Sequence, residues 1–144
     1  MTALTTEVSD FITRARVGRL ATADATGQPL VLPICYAFDG QVLYSAVDAK
    51  PKRRAADDLT RVRNIRENPK VSLVIDEYDE EWRRLRWVIL QGLADLLTAG
   101  EDFAAAAELL LSKYPQYRAL GLSRERGTMI RITPQKVLRW QYAS

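Results

Sequence analysis

A cluster of positively charged residues in the middle of the chain has the composition of an anion-binding site. Residues 50–70 contain eight cations and three carboxylates, a local net charge of +5. The whole chain carries +3, so the other residues sum to −2 and the excess positive charge is local. Lys and Arg gathered near the start of a predicted helix favour anion binding, and a solvated helix face is the alternative. The cations are Lys50, Lys52, Arg53, Arg54, Arg61, Arg63, Arg66 and Lys70.

Histidine is absent from the 144 residues. Its absence removes the commonest general base, the usual partner of a Ser or Cys nucleophile, and the commonest metal ligand. The single cysteine, Cys35, excludes an intrachain disulfide and a cysteine zinc site, and its apolar surroundings predict a buried structural thiol. We therefore single out no catalytic side chain and no metal site. If the protein is an enzyme, we expect a bound cofactor to supply the reactive centre.

Length and composition predict a single domain over residues 1–144. The chain is 47% hydrophobic and long enough to bury a real core. No stretch approaches the ~20 consecutive apolar residues that a membrane-spanning helix needs. The first residues have neither the basic head nor the apolar run of a signal peptide, so we predict a cytoplasmic protein.

The first half of the chain changes from helical spacing to strand-like runs. Apolar residues at helical spacing predict a short amphipathic helix over residues 4–14. Asp39 and Gly40 stand between two apolar runs and indicate a hairpin. Pro33 cannot donate a hydrogen bond to a neighbouring strand, which predicts an edge or bulge position. Three antiparallel strands are expected, at about residues 17–23, 29–38 and 41–47.

The second half alternates helices with pairs of strands. Asp57 or Asp58 can cap a helix that ends at Asn68, because the residue before Pro69 is pushed out of the helical region. The remaining predicted elements are a buried strand at 71–76, a long strand around Gly92, a helix that begins at Gly100, and two closing strands joined at Pro134 and Gln135. This order does not alternate strand and helix as a doubly wound parallel sheet does. We therefore predict a mainly β protein with α insertions, an antiparallel barrel.

Several segments together resemble one known family. They are the pattern L-x-x-V-x-N-I-x-x-N-P-x-V-S-L from Leu59 to Leu73, the earlier run RLATADATGQPLVLPICYAF, and the later runs RLRWVILQG and VLRW. On these segments, residues 6–142 resemble the pyridoxamine 5′-phosphate oxidase-like family, and within it the subgroup of F420-dependent oxidoreductases. The resemblance implies a six-stranded antiparallel split β-barrel, the FMN-binding split barrel. It also implies a homodimer with two cofactor sites between the subunits.

The resemblance further implies which residues bind the cofactor. In relatives, the strand matching residues 30–34 runs along the cofactor ring, and basic residues after the strand of Tyr44 hold its phosphate. The partner subunit closes the pocket with the strands that carry Trp87 and Trp140, for which core or dimer-interface packing is the alternative. The implied cofactor-binding residues are Leu30, Val31, Leu32, Pro33, Ile34, Tyr44, Ser45, Lys50, Lys52, Arg53, Arg61, Trp87 and Trp140. Without histidine, the substrate-binding Arg/His pattern of true pyridoxamine phosphate oxidases cannot be present, which disfavours a role in B6 metabolism.

The leading hypothesis is an oxidoreductase that uses coenzyme F420 to transfer a hydride to or from a small organic substrate. The phosphodiester and oligoglutamate tail of F420 would benefit from more cations than one phosphate needs. The alternatives are an FMN-binding oxidoreductase on the same fold and a cofactor-binding protein without catalysis. Nucleic-acid binding is disfavoured, because the cations are confined to one segment and no aromatic residue stands among residues 50–70. No residue in the sequence identifies the substrate.

Overall fold

The computed structural model describes residues 4–47 and 59–142, and its described part is one antiparallel sheet with four helices. The strands are β1 Gly18–Ala23, β2 Pro29–Ile34, β3 Ala37–Phe38, β4 Leu43–Ala46, β5 Lys70–Glu77, β6 Arg86–Ala99 and β7 Arg126–Gln141. The helices are α1 Thr6–Arg14, α2 Thr60–Glu67, α3 Glu101–Lys113 and α4 Gln116–Ala119. A short 3-10 turn at Trp82–Arg84 joins β5 to β6. The predicted class, mainly β and antiparallel with α insertions, is confirmed.

The sheet curls into a barrel because the strands at its two edges follow each other directly in the chain. The strand order is β2-β1-β5-β6-β7-β4-β3, and only Cys35 and Tyr36 connect the edge strands β2 and β3. The expected single strand over residues 29–38 is therefore two strands, and the described sheet has seven strands where the resemblance implies six. Tyr36 is fully buried at this crossing, and its hydroxyl donates to the Ile12 carbonyl. Pro33 lies on the edge strand β2, as predicted.

The last part of the chain forms one long strand and not the two predicted strands. β7 pairs with β6 along its whole length, with Gln91 opposite Lys136 and Gly92 opposite Pro134. Gln135 is therefore an extra residue in a β-bulge. The bulge accommodates Pro134 without ending the strand, which is why the prediction of a joint at this point is wrong. A side chain on Gly92 would clash, since a Cβ there would lie 2.1 Å from the Thr133 carbonyl oxygen.

Two helices contribute side chains to the interior of the barrel. α1 buries Val8, Phe11 and Ile12, so the predicted amphipathic helix is confirmed. α2 buries Val62 and Ile65 in the same core. The N-cap position of α2 is Leu59, which makes no side-chain capping bond. The aspartates predicted to cap this helix, Asp57 and Asp58, lie outside the described residues.

A second core lies between α3 and the outer face of β3, β4 and β7. It contains Phe103 and Leu110 from α3, packed with Tyr44 and Met129. Arg131 on β7 fastens this layer, because its guanidinium donates to both carboxylate oxygens of Asp95 on β6 and to Asp102 on α3. No helix in the described parts of the chain is long and apolar enough to cross a membrane.

Candidate functional site

Apolar side chains remain exposed on the outer surface of the sheet away from α3. On this surface the exposed fraction is 64% for Val31 on β2, 38% for Leu93 on β6 and 42% for Trp140 on β7. Ile89 and Leu138, which stand opposite each other on β6 and β7, are only partly buried. We call this outward surface of β2, β1, β5, β6 and the last residues of β7 the open face. Exposed apolar side chains gathered on one surface of a sheet are typical of a protein interface or a ligand site.

A cleft of about 550 Å³ lies in the middle of the open face. Cross-strand pairing places Ala21, Ser72, Gln91 and Lys136 in one row across β1, β5, β6 and β7. Small side chains of β1 and β5 line the cleft beside the longer side chains of Gln91 and Lys136. Lys70 adds a second ammonium group to that of Lys136. The volume falls within the range of small-molecule and cofactor sites. The cleft can therefore accept a flat apolar ring and an anionic group.

The strand predicted to run along the cofactor ring borders this cleft. Val31 pairs with Ala21 and faces outward, and Pro33, two residues further, faces the same side. The side chains that face the inside of the barrel are those of Leu30, Leu32 and Ile34. Residues of one strand alternate between the two faces, so the predicted segment can present only two of its five side chains to a ligand on the open face. The assignment of residues 30–34 to a cofactor site stays a prediction.

Tyr44 and Ser45 lie on β4, which is distant from β2 in the sheet order. Tyr44 is 8% exposed and packs in the core under α3, where burial raises the pKa of its phenol. Ser45 faces the other side, and its hydroxyl donates to the Cys35 carbonyl at 2.8 Å. Because Cys35 directly follows β2, this hydrogen bond brings β4 to the end of the predicted ring-binding strand. The assignment of Tyr44 and Ser45 to the cofactor site stays a prediction.

Three of the predicted phosphate-binding residues lie outside the described residues, namely Lys50, Lys52 and Arg53. Arg61 is described and is half-buried on α2. On the same helix, the Asn64 amide donates to the Thr22 hydroxyl at 3.0 Å in a buried position. Thr22 belongs to β1 and lines the cleft. This hydrogen bond fixes the helix that carries Arg61 to the strand beneath the cleft.

The two tryptophans predicted to close the pocket lie side by side. Trp87 on β6 and Trp140 on β7 are paired residues, with ring centroids 6.5 Å apart and ring planes 19° from parallel. Both belong to the open face. Trp87 lies two residues from Ile89 and Trp140 two residues from Leu138, and alternate residues of a strand share a face. Trp82, in contrast, is 58% exposed in the turn between β5 and β6. An offset pair of large rings at this position suits contact with a ligand ring or with a second subunit.

The sequence reasoning missed a half-buried lysine, with a buried ammonium group, at the C-terminal end of α3. The Lys113 ammonium lies 4.2 Å from the Tyr36 ring centroid and has no hydrogen-bond partner within the described ranges. Burial, and then the nearby positive charge of Arg16, lower the pKa of Lys113 to about 8. The sequence showed only a basic residue in the last turn of a helix, which is an ordinary arrangement. The lysine lies in a different part of the fold from the cleft, since Tyr36 connects β2 to β3.

The described fold and its open face define an antiparallel split-barrel protein with a ligand-sized cleft on the outside of the barrel. The family model described as pyridoxamine 5′-phosphate oxidase matches residues 4–141, and the chain belongs to this family. The family resemblance seen in the sequence is thereby confirmed. A search of curated protein sequences found no match.

Several solved structures share the fold over almost the whole chain. A conserved hypothetical protein from Mycobacterium tuberculosis is 20% identical with a TM-score of 0.74, over 98% of this chain and 88% of that one. The heme storage protein of Vibrio cholerae is 16% identical with a TM-score of 0.73, over 97% of this chain and 95% of that one. An FAD-binding protein from Mesorhizobium loti is 25% identical with a TM-score of 0.69, over 94% of each chain. The family fold thus occurs in proteins that bind different large, flat cofactors.

Proposed function

We propose that this protein is a homodimeric oxidoreductase that uses coenzyme F420 to transfer a hydride to or from a small organic substrate. The observation that carries the proposal is the open face, with its apolar surface, its cleft of about 550 Å³ and its stacked Trp87 and Trp140. The family match supports a cofactor-binding role for this surface.

The apolar character of the open face supports the dimer. Val31, Ile89, Leu93 and Trp140 would lose contact with water if the open faces of two subunits met. Removing apolar surface from water contributes about 25 cal/mol for each Å². In such a dimer, each cleft would be closed by the partner, which excludes water from the reacting ring.

The residues at the cleft fit a deazaflavin. Small side chains at Ala21 and Ser72 leave room for a flat ring beside Val31, and Lys70 and Lys136 suit anionic groups. Lys50, Lys52 and Arg53, outside the described residues, and Arg61 would bind the phosphodiester and the carboxylates of the F420 tail. When bound, F420 supplies the hydride chemistry. The protein residues hold the charged tail, orient the ring and exclude water, so no histidine is needed.

FMN is the second candidate cofactor. The structural similarity to an FAD-binding protein, at 25% identity, favours a flavin on the same surface. An FMN site needs to neutralise one terminal phosphate, for which two or three cations are sufficient. A role as a cofactor carrier without catalysis is the remaining alternative, and a heme storage protein with this fold shows that the fold serves storage elsewhere.

A binding titration of F420 and FMN by fluorescence decides between the two cofactors. We expect F420 to bind more tightly at low salt, with a preference that shrinks as salt rises, because exposed charges are screened over about 10 Å at 0.1 M. Substituting Lys50, Lys52 or Arg61 by Ala should each weaken F420 binding by roughly 1–3 kcal/mol, the range for charge-assisted hydrogen bonds. Arg118→Ala on α4 is the control and should bind as the wild type does. Tighter binding of FMN at low salt would overturn the choice of cofactor.

A further inference from the structure

A second cleft, of about 300 Å³, lies at the mouth of the barrel between α1 and the paired ends of β6 and β7. Its apolar lining comes from Val8 and Phe11 on α1 and from Val88 on β6, each less than 10% exposed. Arg139 stands opposite Val88 in the pairing and therefore lies on the core side of the sheet. The apolar lining of the cleft is thus on the core side of these strands, while Trp87 and Trp140, which belong to the open face, also line it.

Two opposite charges on the walls of this cleft have no ion-pair partner among the described residues. Glu7 on α1 and Arg139 on β7 both line the cleft and are exposed. In residues 4–47 and 59–142, neither forms a salt bridge or a side-chain hydrogen bond, with each other or with another residue. Each charged group is therefore available to a ligand.

The third charge in the cleft is already neutralised. Arg86 donates to the Glu77 carboxylate at 3.0 Å, and its guanidinium lies 4.1 Å from the Phe11 ring centroid. The Arg86 guanidinium and the Phe11 ring together form one wall of the cleft, which is apolar on the side of the ring. Glu7 and Arg139 then leave the free charge of the cleft at zero, with one charge of each sign.

We propose that this cleft binds a small zwitterion with an apolar or aromatic body, such as an aromatic amino acid. The Arg139 guanidinium binds the carboxylate of the ligand, and Glu7 binds its ammonium group. The body of the ligand packs against Phe11, Val8 and Val88. A zwitterion pairs with both charges at once, whereas a singly charged ligand pairs with only one of them, so a zwitterion is preferred over an anion or a cation. A volume of about 300 Å³ is at the lower end for ligand sites and admits only a small molecule.

Three probes of similar shape test the charge preference. Phenylalanine carries both charges, 3-phenylpropionate carries only the carboxylate, and phenethylamine carries only the ammonium group. Trp87 and Trp140 line the cleft and report binding by fluorescence, and a Trp82→Phe background removes the signal of the exposed turn. The titrations use protein without added cofactor, so their outcome does not depend on which cofactor the open face binds.

Phenylalanine should bind most tightly, with a saturable fluorescence change. Arg139→Gln should weaken phenylalanine and 3-phenylpropionate roughly tenfold and leave phenethylamine unchanged, since only the first two carry a carboxylate. Glu7→Gln should weaken phenylalanine and phenethylamine and leave 3-phenylpropionate unchanged. Asp10→Asn on α1 and Arg118→Gln on α4 are matched controls that should not change binding.

Three results would overturn the proposal. The first is the absence of a saturable signal with all three probes in protein that is folded by circular dichroism. The second is tighter binding of either singly charged probe than of phenylalanine. The third is phenylalanine binding that is the same in Glu7→Gln, Arg139→Gln and the control variants.

Discussion

Replacing Lys113, the half-buried lysine of α3, tests the electrostatic reasoning most directly. Lys113→Met keeps the length and apolar stem of the side chain and removes its charge. In the folded protein, burial lowers the pKa of Lys113 from 10.5 to about 8. That difference corresponds to about 3 kcal/mol at 1.36 kcal/mol for each pKa unit. Since Lys113 is only partly buried, solvent screening reduces the expected effect to about 1–2 kcal/mol.

The sign of the pH dependence follows from proton binding in the two states. Below pH 8, Lys113 is charged in the folded and the unfolded protein, so the full cost of burying the charge is present. Between pH 8 and 10.5 the unfolded state binds more protons, and the stability of the wild type should rise with pH. Lys113→Met should therefore raise the free energy of unfolding at pH 7 by about 1–2 kcal/mol, with a smaller gain at pH 9.5.

Urea unfolding followed by circular dichroism at pH 7 and pH 9.5 measures both effects. The pKa values of Tyr36 and Tyr114, which lie beside Lys113, are raised by burial, so their ionisation opposes folding at pH values near 10 and above. Comparing variant with wild type at each pH cancels this contribution. Arg118→Met, at an exposed position on α4, is the control and should change stability little at either pH. A Lys113→Met protein less stable than the wild type at pH 7 would refute the reasoning, because the ammonium–ring contacts would then outweigh the cost of burial.

Two further predictions concern the open face and the bulge. In light scattering at micromolar concentration, the protein should have about twice its monomer mass of 16.3 kDa. Ile89→Asp should convert it to a monomer, because a charge would be buried between the subunits. A wild-type protein that is monomeric at this concentration would exclude the shared clefts. Gly92→Val should lower the free energy of unfolding by more than about 2 kcal/mol, because its Cβ would lie 2.1 Å from the Thr133 carbonyl oxygen. Thr98→Ala, at an exposed position on the same strand, should cost less than about 1 kcal/mol in urea unfolding. Equal losses in the two variants would show that the bulge adapts to a side chain.

Features that depend on neighbouring residues could be predicted from the sequence. The spacing of Val8, Phe11 and Ile12 specified the buried side of α1 because side chains three and four residues apart share a helix face. The hairpin after β3 was predictable because Asp39 accepts hydrogen bonds from the backbone of Gln41 and Val42, within its own turn. The family resemblance also came from the sequence, through segments that the family match at residues 4–141 confirms.

Features that depend on contacts between distant parts of the chain were decided by the tertiary structure. Residues 29–38 are uniformly apolar in sequence, but Tyr36 crosses from one sheet edge to the other and divides them into β2 and β3. β7 continues past Pro134 because β6 offers a partner along its whole length, and a bulge absorbs the proline. Hydrophobic periodicity in the sequence could not predict the row of Ala21, Ser72, Gln91 and Lys136, because each residue lies on a different strand. Hydrophobic alternation specifies which face a side chain occupies, whereas the strand pairing that only the folded chain has specifies which residues become its neighbours.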